Sequence, residues 1–186
     1  GYWKDEEATR EAFTDDGWFK TGDVGEKDAD GFLRITDRKK EIIITAAGKN
    51  VSPANIEKLV RTAPLISQCV VHGDRRKYLV ALISLEEDEV FSMADRLGIT
   101  ANGLVELLQH PTIVSEVQLI VDRSNRQLAR YETIKYFRVL DNDLTVEDDL
   151  LTPTLKLKRR NIRARYEHLI NEMYEGKRKL RQVPVD

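Results

Sequence analysis

Two segments carry the side chains best suited to act on a substrate, a lysine pair near the C-terminus and an aspartate near the N-terminus. The segment at residues 151–159 carries Lys156 and Lys158. A lysine ammonium offers three donors and a full positive charge on a flexible stem, which suits negative charge that accumulates in a transition state. Asp23 closes a threonine-glycine-aspartate turn, and its carboxylate is an acceptor-only group. The alternative for such an aspartate is a turn residue that bonds its own backbone.

A charged tetrapeptide and a glycine turn lie between these two segments. Residues 37–40 read Asp-Arg-Lys-Lys, which by itself also fits a solvated loop. The apolar run at residues 42–44 follows and leads into a turn that holds Gly48 and Lys49. Each of these features is common in unrelated proteins, so their order and spacing carry more weight than any one of them.

Three segments read together resemble the adenylate-forming superfamily. They are GWFKTGD at residues 17–23, DRKKE through GKNVSP at residues 37–53, and LTPTLKLKR at residues 151–159. The second and third most resemble long-chain fatty acyl-CoA synthetases, including the bubblegum-type branch. The resemblance covers essentially the whole chain.

This resemblance implies an enzyme with two half-reactions. A fatty acid first attacks the α-phosphate of ATP to give acyl-AMP and pyrophosphate, and the CoA thiol then attacks the adenylate. ATP, Mg²⁺ carried on its phosphates, and CoA are implied as substrates of the full-length enzyme, with none bound tightly by this segment. The ATP phosphate loop and the acyl tunnel would belong to an N-terminal domain that is missing here, so the chain alone is expected to be an inactive C-terminal portion.

The resemblance also assigns residues around the nucleotide and the domain joint. Asp23 and Arg38 match the family positions that contact the ribose of ATP and of the acyl-adenylate. Lys40 matches the hinge residue about which the small domain rotates between the half-reactions, with Asp37 or Lys39 as the next candidate. A hinge of this kind absorbs its dihedral change within one or two residues.

The first half-reaction is assigned to Lys156, which would bridge the substrate carboxylate and the α-phosphate. Many family members carry a serine-glycine pair before this lysine, whereas Thr154 and Leu155 stand here. That departure matches the long-chain branch and leaves Lys158 as an alternative assignment.

For the second half-reaction, the resemblance places Gly48 against the pantetheine arm of CoA, because a side chain there would block the thiol. Lys49 is the accompanying candidate for CoA phosphates. Ala46 and Ala47 occupy positions where relatives often have glycine or serine. A solvated turn is the alternative for Lys49.

Composition limits the other function classes. The net charge of −2 gives no general attraction to nucleic acid, and the single cysteine, Cys69, has no internal partner for a disulfide. The longest apolar runs are too short to span a bilayer, so a soluble protein is expected. The lone cysteine fits a reducing cytoplasm, which is the expected location, with peripheral membrane association left open. The histidines at 72, 110 and 168 show no metal-ligand spacing.

Two other functions remain open at this stage. The intact enzyme could be an acyl-AMP ligase that loads a carrier protein instead of CoA. The chain could also be a binding module that grips a partner through its basic last helix, which is predicted from residue 158 to about 175 with a frayed tail after it.

The predicted fold class is α+β. Residues 1–38 are expected to be a β-hairpin remnant of the large domain, and residues 39–186 the small mobile C-terminal domain. That domain is predicted as an antiparallel sheet from residues 66–72, 78–85 and 134–140, flanked by helices. Ser52 and Pro53 mark a helix start, and residues 141–154 are predicted to form an exposed loop.

Overall fold

The protein is described by a computed structural model that covers residues 1–175 in detail. The chain folds into two compact units, the first Gly1–Ile42 and the second beginning at Ile43. The predicted domain boundary between residues 38 and 39 concerns the intact enzyme and stays a prediction. The predicted frayed tail lies outside the described residues.

The first unit contains one short helix and one β-hairpin. Helix α1 is Glu6–Glu11, and strands β1, Asp23–Lys27, and β2, Leu33–Arg38, pair antiparallel. The predicted hairpin is therefore confirmed. Asp37 is the one buried residue among residues 1–42, so this unit has no hydrophobic core of its own.

The second unit begins with a small hairpin and a capped helix. Strands β3, Ile43–Ile44, and β4, Asn50–Val51, pair antiparallel. Helix α2, Pro53–Val60, follows, and the Ser52 hydroxyl caps it by accepting a hydrogen bond from the Asn55 N–H at 3.3 Å. The predicted helix start is thus confirmed, because a serine cap satisfies one of the free N–H groups and proline lacks the N–H that would otherwise be unpaired.

The central sheet has three strands in the order β5-β6-β7, and it is mixed. Strands β5, Ile66–His72, and β6, Leu79–Leu85, pair antiparallel as predicted, whereas β7, Ile134–Val139, pairs parallel to β6. The prediction of an all-antiparallel sheet was wrong at this strand. Helices lie between β6 and β7, and a parallel pair requires a long crossover of this kind.

Helices cover the sheet on both sides. The crossover contains α3, Glu87–Leu97, α4, Leu104–Leu108, and α5, Pro111–Asn125, and is followed by a short 3-10 helix at Arg130–Glu132. The last described helix is α6, Arg159–Glu175, with a kink at Tyr166. This mixture of helices and small sheets confirms the α+β class.

Two hydrophobic cores occupy the two faces of the sheet. Alternate residues of β6 point to opposite faces, so Leu79, Ala81 and Ile83 belong to one core while Val80 and Leu82 belong to the other. The first core also contains α2 to α5, and the second contains α6.

The segment at residues 141–154 is irregular, as predicted, but it is not simply exposed. Leu144 and Leu150 are each 2% exposed and pack in the core beside α6. Asp143 ties the segment to the sheet by accepting hydrogen bonds from the hydroxyls of Ser67 and Ser84. The leucines and Asp143 together hold this segment beside the start of α6.

The end of β5 and the end of α6 share a half-buried polar contact. The Tyr174 hydroxyl lies 3.1 Å from both the His72 and the Tyr78 backbone oxygens and donates to this pair of acceptors. Burial lowers the pKa of His72 from 6.5 to about 4, with further lowering by Arg163 and Arg76 and an opposing contribution from Asp74.

A pH dependence of stability follows from His72. In the unfolded chain the pKa of His72 returns to about 6.5, so protonation favours unfolding below that pH. The contribution of neutral His72 to the free energy of unfolding is therefore expected to be complete above pH 6.5 and to be lost as the pH falls towards 4. Urea unfolding at several pH values should show a shallower fall for His72→Gln, which cannot take up that proton. Equal slopes for the two proteins between these pH values would contradict the prediction.

Candidate functional site

Lys156 lies at the end of a tight hairpin. An isolated bridge joins Leu151 to Leu157, and the Thr152 N–H donates to the Lys156 oxygen at 2.8 Å. The Leu155 N–H closes a turn onto the Thr152 oxygen at 2.8 Å, and the Thr152 hydroxyl accepts the Lys156 N–H at 3.0 Å. Both the backbone and the side chain of Thr152 therefore form hydrogen bonds that close the hairpin.

Leu155 adopts a left-handed backbone conformation in this hairpin, with φ of 58°. A three-residue hairpin loop commonly ends in a residue of that conformation. Glycine adopts it without steric cost, whereas a leucine is strained there. The glycine that many family members carry at this position would match the backbone that the structure shows.

Lys49 lies in a second hairpin that repeats the first. The Thr45 N–H donates to the Lys49 oxygen at 3.0 Å, the Gly48 N–H donates to the Thr45 oxygen at 2.8 Å, and the Thr45 hydroxyl accepts the Lys49 N–H at 3.1 Å. Gly48 has φ of 71° and so corresponds to Leu155. Both hairpins are therefore Thr-x-x-x-Lys loops with the same three hydrogen bonds and the same left-handed fourth residue.

The two hairpins, named here the Lys49 hairpin and the Lys156 hairpin, are anchored in different cores. Ile43 and Val51, which flank the Lys49 hairpin, are buried in the core that contains α2 to α5. Leu151 is buried in the core beside α6, and Leu157 packs against that core. Since these cores cover opposite faces of the sheet, one lysine-bearing hairpin is attached to each face.

The environments of Lys156 and Lys158 differ. Lys156 is exposed, and its ammonium has no ion-pair partner within the described part of the chain. Lys158 forms a salt bridge with Asp149, which also accepts a hydrogen bond from Asn161 at 2.7 Å. The structure thus leaves Lys156 available to an external anion and engages Lys158 internally.

The two predicted ribose residues contact each other in the first unit. Arg38 Nε lies 2.8 Å from the Asp23 carboxylate, and Arg38 Nη1 donates to the Thr21 oxygen at 3.3 Å. Gly22, with φ of 75°, forms the turn that brings Asp23 to the first position of β1. The structure therefore brings Asp23 and Arg38 together.

The predicted hinge residues lie in and directly after β2. Asp37 is 9% exposed and accepts the Arg38 N–H at 2.7 Å through Oδ1. Its Oδ2 has no hydrogen-bond partner among residues 1–175. Lys40 is exposed in the turn that follows the strand.

Several other features are separate from these residues. A groove of about 540 Å³ lies between β7 and α6, and none of the predicted site residues lines it. Across residues 1–175 no three histidine, cysteine, aspartate or glutamate side chains are grouped to hold a metal ion. The described helices include none that is long and apolar enough to cross a bilayer. Cys69 is buried.

Sequence reasoning missed the two threonines. The signal was present as a repeated spacing, because Thr45 precedes Lys49 by four residues and Thr152 precedes Lys156 by four. The remaining residues of the two loops differ, Ala-Ala-Gly against Pro-Thr-Leu, so the likeness becomes evident only from the hydrogen bonds and the left-handed fourth residue.

Comparison with known proteins identifies relatives along nearly the whole chain. The chain is 45% identical to the long-chain-fatty-acid–CoA ligase FadD15 of Mycobacterium tuberculosis, over 94% of this chain and 29% of that protein. It is 37% identical to the peroxisomal long chain acyl-CoA synthetase 7 of Arabidopsis thaliana, over 94% of this chain and 25% of that protein. The chain thus spans less than a third of the length of these relatives.

Solved structures show the same fold. The adenylation domain of carboxylic acid reductase from Segniliparus rugosus, in complex with AMP and a co-purified carboxylic acid, matches with a TM-score of 0.78 and 26% identity, over 94% of this chain and 26% of that one. The o-succinylbenzoate CoA synthetase of Bacillus subtilis, bound to its acyl-adenylate intermediate, matches with a TM-score of 0.60 and 25% identity, over 87% of this chain and 27% of that one.

A family model described as the AMP-binding enzyme C-terminal domain matches residues 40–178, which is more than half of the chain. Its first matched residue is the predicted hinge, Lys40, and the match includes both lysine-bearing hairpins. The chain therefore belongs to the family of AMP-binding enzyme C-terminal domains.

Proposed function

We propose that the chain is the C-terminal part of a long-chain fatty acid–CoA ligase. The intact enzyme activates a fatty acid with MgATP to acyl-AMP and transfers the acyl group to CoA. Support comes from the names of the relatives and from the small share of their length that this chain covers. A cytoplasmic location, with peripheral membrane contact left open, is part of the same proposal.

The observation that carries the proposal is the pair of lysine-bearing hairpins on opposite faces of one sheet. The two half-reactions act on one carboxyl group, the first through its oxygen at the α-phosphorus and the second at its carbon, so they need different groups in turn. A rigid domain can supply these groups by presenting first one face and then the other. Rotation about a short joint accomplishes this without rebuilding either hairpin. Lys40 is the proposed joint, with Asp37 as the second candidate, and residues 39–186 are the proposed moving body.

Adenylation is the proposed task of the Lys156 hairpin. The Lys156 ammonium would bridge the fatty-acid carboxylate and the α-phosphate, where negative charge accumulates as the new P–O bond forms and pyrophosphate leaves. Its exposure and the absence of an ion-pair partner among the described residues support this role. Lys158 is less suited because its charge is already neutralised by Asp149.

Ribose binding is the proposed task of Asp23 and Arg38. The Asp23 side chain is 23% exposed, and the Arg38 contact orients its carboxylate. A carboxylate has about four lone-pair sites, so acceptor capacity remains for ribose hydroxyls. Residues 1–38 would then be the edge of the large domain, to which these two residues belong.

The exposed surface of the first unit supports a larger domain that covers it. An unusual share of its apolar side chains is open to solvent, and a two-stranded hairpin is marginally stable alone. The most exposed members are Trp3, Trp18, Phe32 and Leu33.

Thioester formation is the proposed task of the Lys49 hairpin. A Cβ built on Gly48 would meet nothing within 4 Å, so the glycine leaves open space at the loop. That space suits the pantetheine arm of CoA, with Lys49 placed to meet a CoA phosphate. Lys49 Nζ lies 5.9 Å from the Tyr131 ring centroid, and this contact would hold the ammonium near the loop.

Replacing Lys49 with alanine in the intact enzyme is expected to lower acyl-CoA formation from supplied acyl-AMP by about tenfold, the value of one charged hydrogen bond. The pyrophosphate-exchange rate should remain that of the wild type, because adenylation uses the other face. Lys58→Ala, an exposed lysine on α2, is the matched control. Equal loss in both half-reactions would contradict the assignment.

The function itself is tested with the intact enzyme. Incubation with a long-chain fatty acid, MgATP and CoA should release pyrophosphate and AMP and yield acyl-CoA. Transfer to a carrier protein in place of CoA would identify a carrier-loading ligase instead. Failure to exchange pyrophosphate with any fatty acid would refute the adenylation proposal.

A further inference from the structure

Leu155 is a bulky residue at a hairpin position that favours glycine, and the hairpin itself does not require a leucine there. Its backbone is left-handed, with φ of 58°, which is unusual for a bulky residue. Its side chain is 64% exposed, so the leucine is not retained there to fill a core. Strained residues of this kind concentrate at functional sites, where the surroundings or the function maintain them.

The Lys49 hairpin is an internal control for this observation. It has the same three hydrogen bonds and places glycine at the position that corresponds to Leu155. A Cβ at Gly48 would contact nothing within 4 Å, so the Thr-x-x-x-Lys loop is complete without a side chain at its fourth position. The leucine is therefore dispensable for the hairpin itself.

We infer that Leu155 is a positioning residue for Lys156, and that its side chain packs on an apolar wall at the rim of the nucleotide pocket, supplied by the upstream part of the same polypeptide. This inference rests on the proposed adenylation function. Leu155 and Lys156 are consecutive in a hairpin fixed by three hydrogen bonds, so the pocket that admits the ammonium also receives the leucine. A packed Leu155 would restrict the range of positions of the Lys156 ammonium relative to the α-phosphate.

The test uses three substitutions of Leu155 in the intact enzyme, with Arg75→Gly and Lys156→Ala as reference variants. Leu155→Gly and Leu155→Asn both suit a left-handed backbone, and asparagine does so without the added freedom of glycine. Both variants should unfold at a temperature equal to or above that of the wild type, as should Arg75→Gly, which relieves another left-handed residue of the same unit.

Both Leu155 variants should nevertheless lower kcat for pyrophosphate exchange by about tenfold to a hundredfold, with KM for ATP little changed, because misplacement of a catalytic group costs rate more than binding. Leu155→Met, which keeps an apolar side chain of similar volume, should restore most of the rate. Acyl-CoA formation from supplied acyl-AMP should be unaffected.

Two results would overturn the inference. One is a wild-type exchange rate for Leu155→Asn, which would show that the apolar side chain does not matter. The other is a loss for Leu155→Met as large as that for Leu155→Asn. Lys156→Ala in the same assay separates the two proposals: if it abolishes exchange while Leu155→Asn does not, only the role of Leu155 fails, and if it has no effect, the adenylation function fails.

Discussion

Replacing Lys156 with alanine in the intact enzyme is expected to lower the rate of acyl-adenylate formation by about a hundred- to a thousand-fold. That is the typical loss when one preorganised donor to transition-state charge is removed. The hairpin fixes the Lys156 backbone through Thr152, and the ammonium has no competing ion pair in the described residues. Pyrophosphate exchange measures this step directly.

Thioester formation from supplied acyl-AMP should largely survive the same substitution, because the proposed mechanism assigns that step to the opposite face of the domain. Lys158→Ala is the matched control, since it removes a neighbouring ammonium that is paired with Asp149. We expect that control to reduce stability slightly and to leave exchange near the wild-type rate. Survival of both half-reactions in Lys156→Ala would refute its role, and collapse of exchange in Lys158→Ala alone would reverse the assignment.

Local sequence signals predicted most elements of the fold, because each depends on neighbouring residues. The capped start of α2 follows from Ser52 and Pro53, and the pairing of β5 with β6 follows from two apolar runs joined by a charged turn. The direction of β7 depends on how a long crossover returns to the sheet. No local pattern around Ile134 encodes it, so the antiparallel expectation failed there.

The individual residues of the candidate site were predictable from the sequence, but their arrangement in space was not. Lys156, Lys49, Gly48, Asp23 and Arg38 were all named from the sequence, and their roles remain proposals. The attachment of the two lysine hairpins to opposite faces was not predictable, because it depends on which core buries Ile43 and which buries Leu151. That placement is a property of the folded sheet.

A buried ion pair was missed for the same reason. Glu57 lies on the buried side of α2, where a helical pattern predicts an apolar residue, and it is only 5% exposed. Arg159 reaches it from the start of α6, 102 residues away in sequence, with two guanidinium–carboxylate hydrogen bonds of 2.7 Å. The sequence shows Arg159 only as one of several basic residues in the predicted last helix.

Replacing Arg159 with alanine is expected to lower the free energy of unfolding of the second unit by about 3 kcal/mol, the lower end of the range for removal of one partner of a buried pair, because the Arg159 side chain is 25% exposed. The Glu57 carboxylate would keep the 2.8 Å hydrogen bond that it accepts from the Val71 N–H. It would lose the positive charge that compensates for its burial. Urea unfolding measures the loss, and Arg160→Ala, an exposed arginine one residue later, should change stability by less than about 0.5 kcal/mol.

A double substitution separates the lost charge pair from lost packing of the arginine stem. Glu57→Gln removes the buried charge and can still accept the Val71 N–H, so adding it to Arg159→Ala should recover part of the stability. Full additivity of the two losses would contradict the ion-pair explanation. Because Arg159 lies three residues after Lys156, the same pair anchors the base of the Lys156 hairpin, and the recovered double variant should also recover pyrophosphate exchange relative to Arg159→Ala.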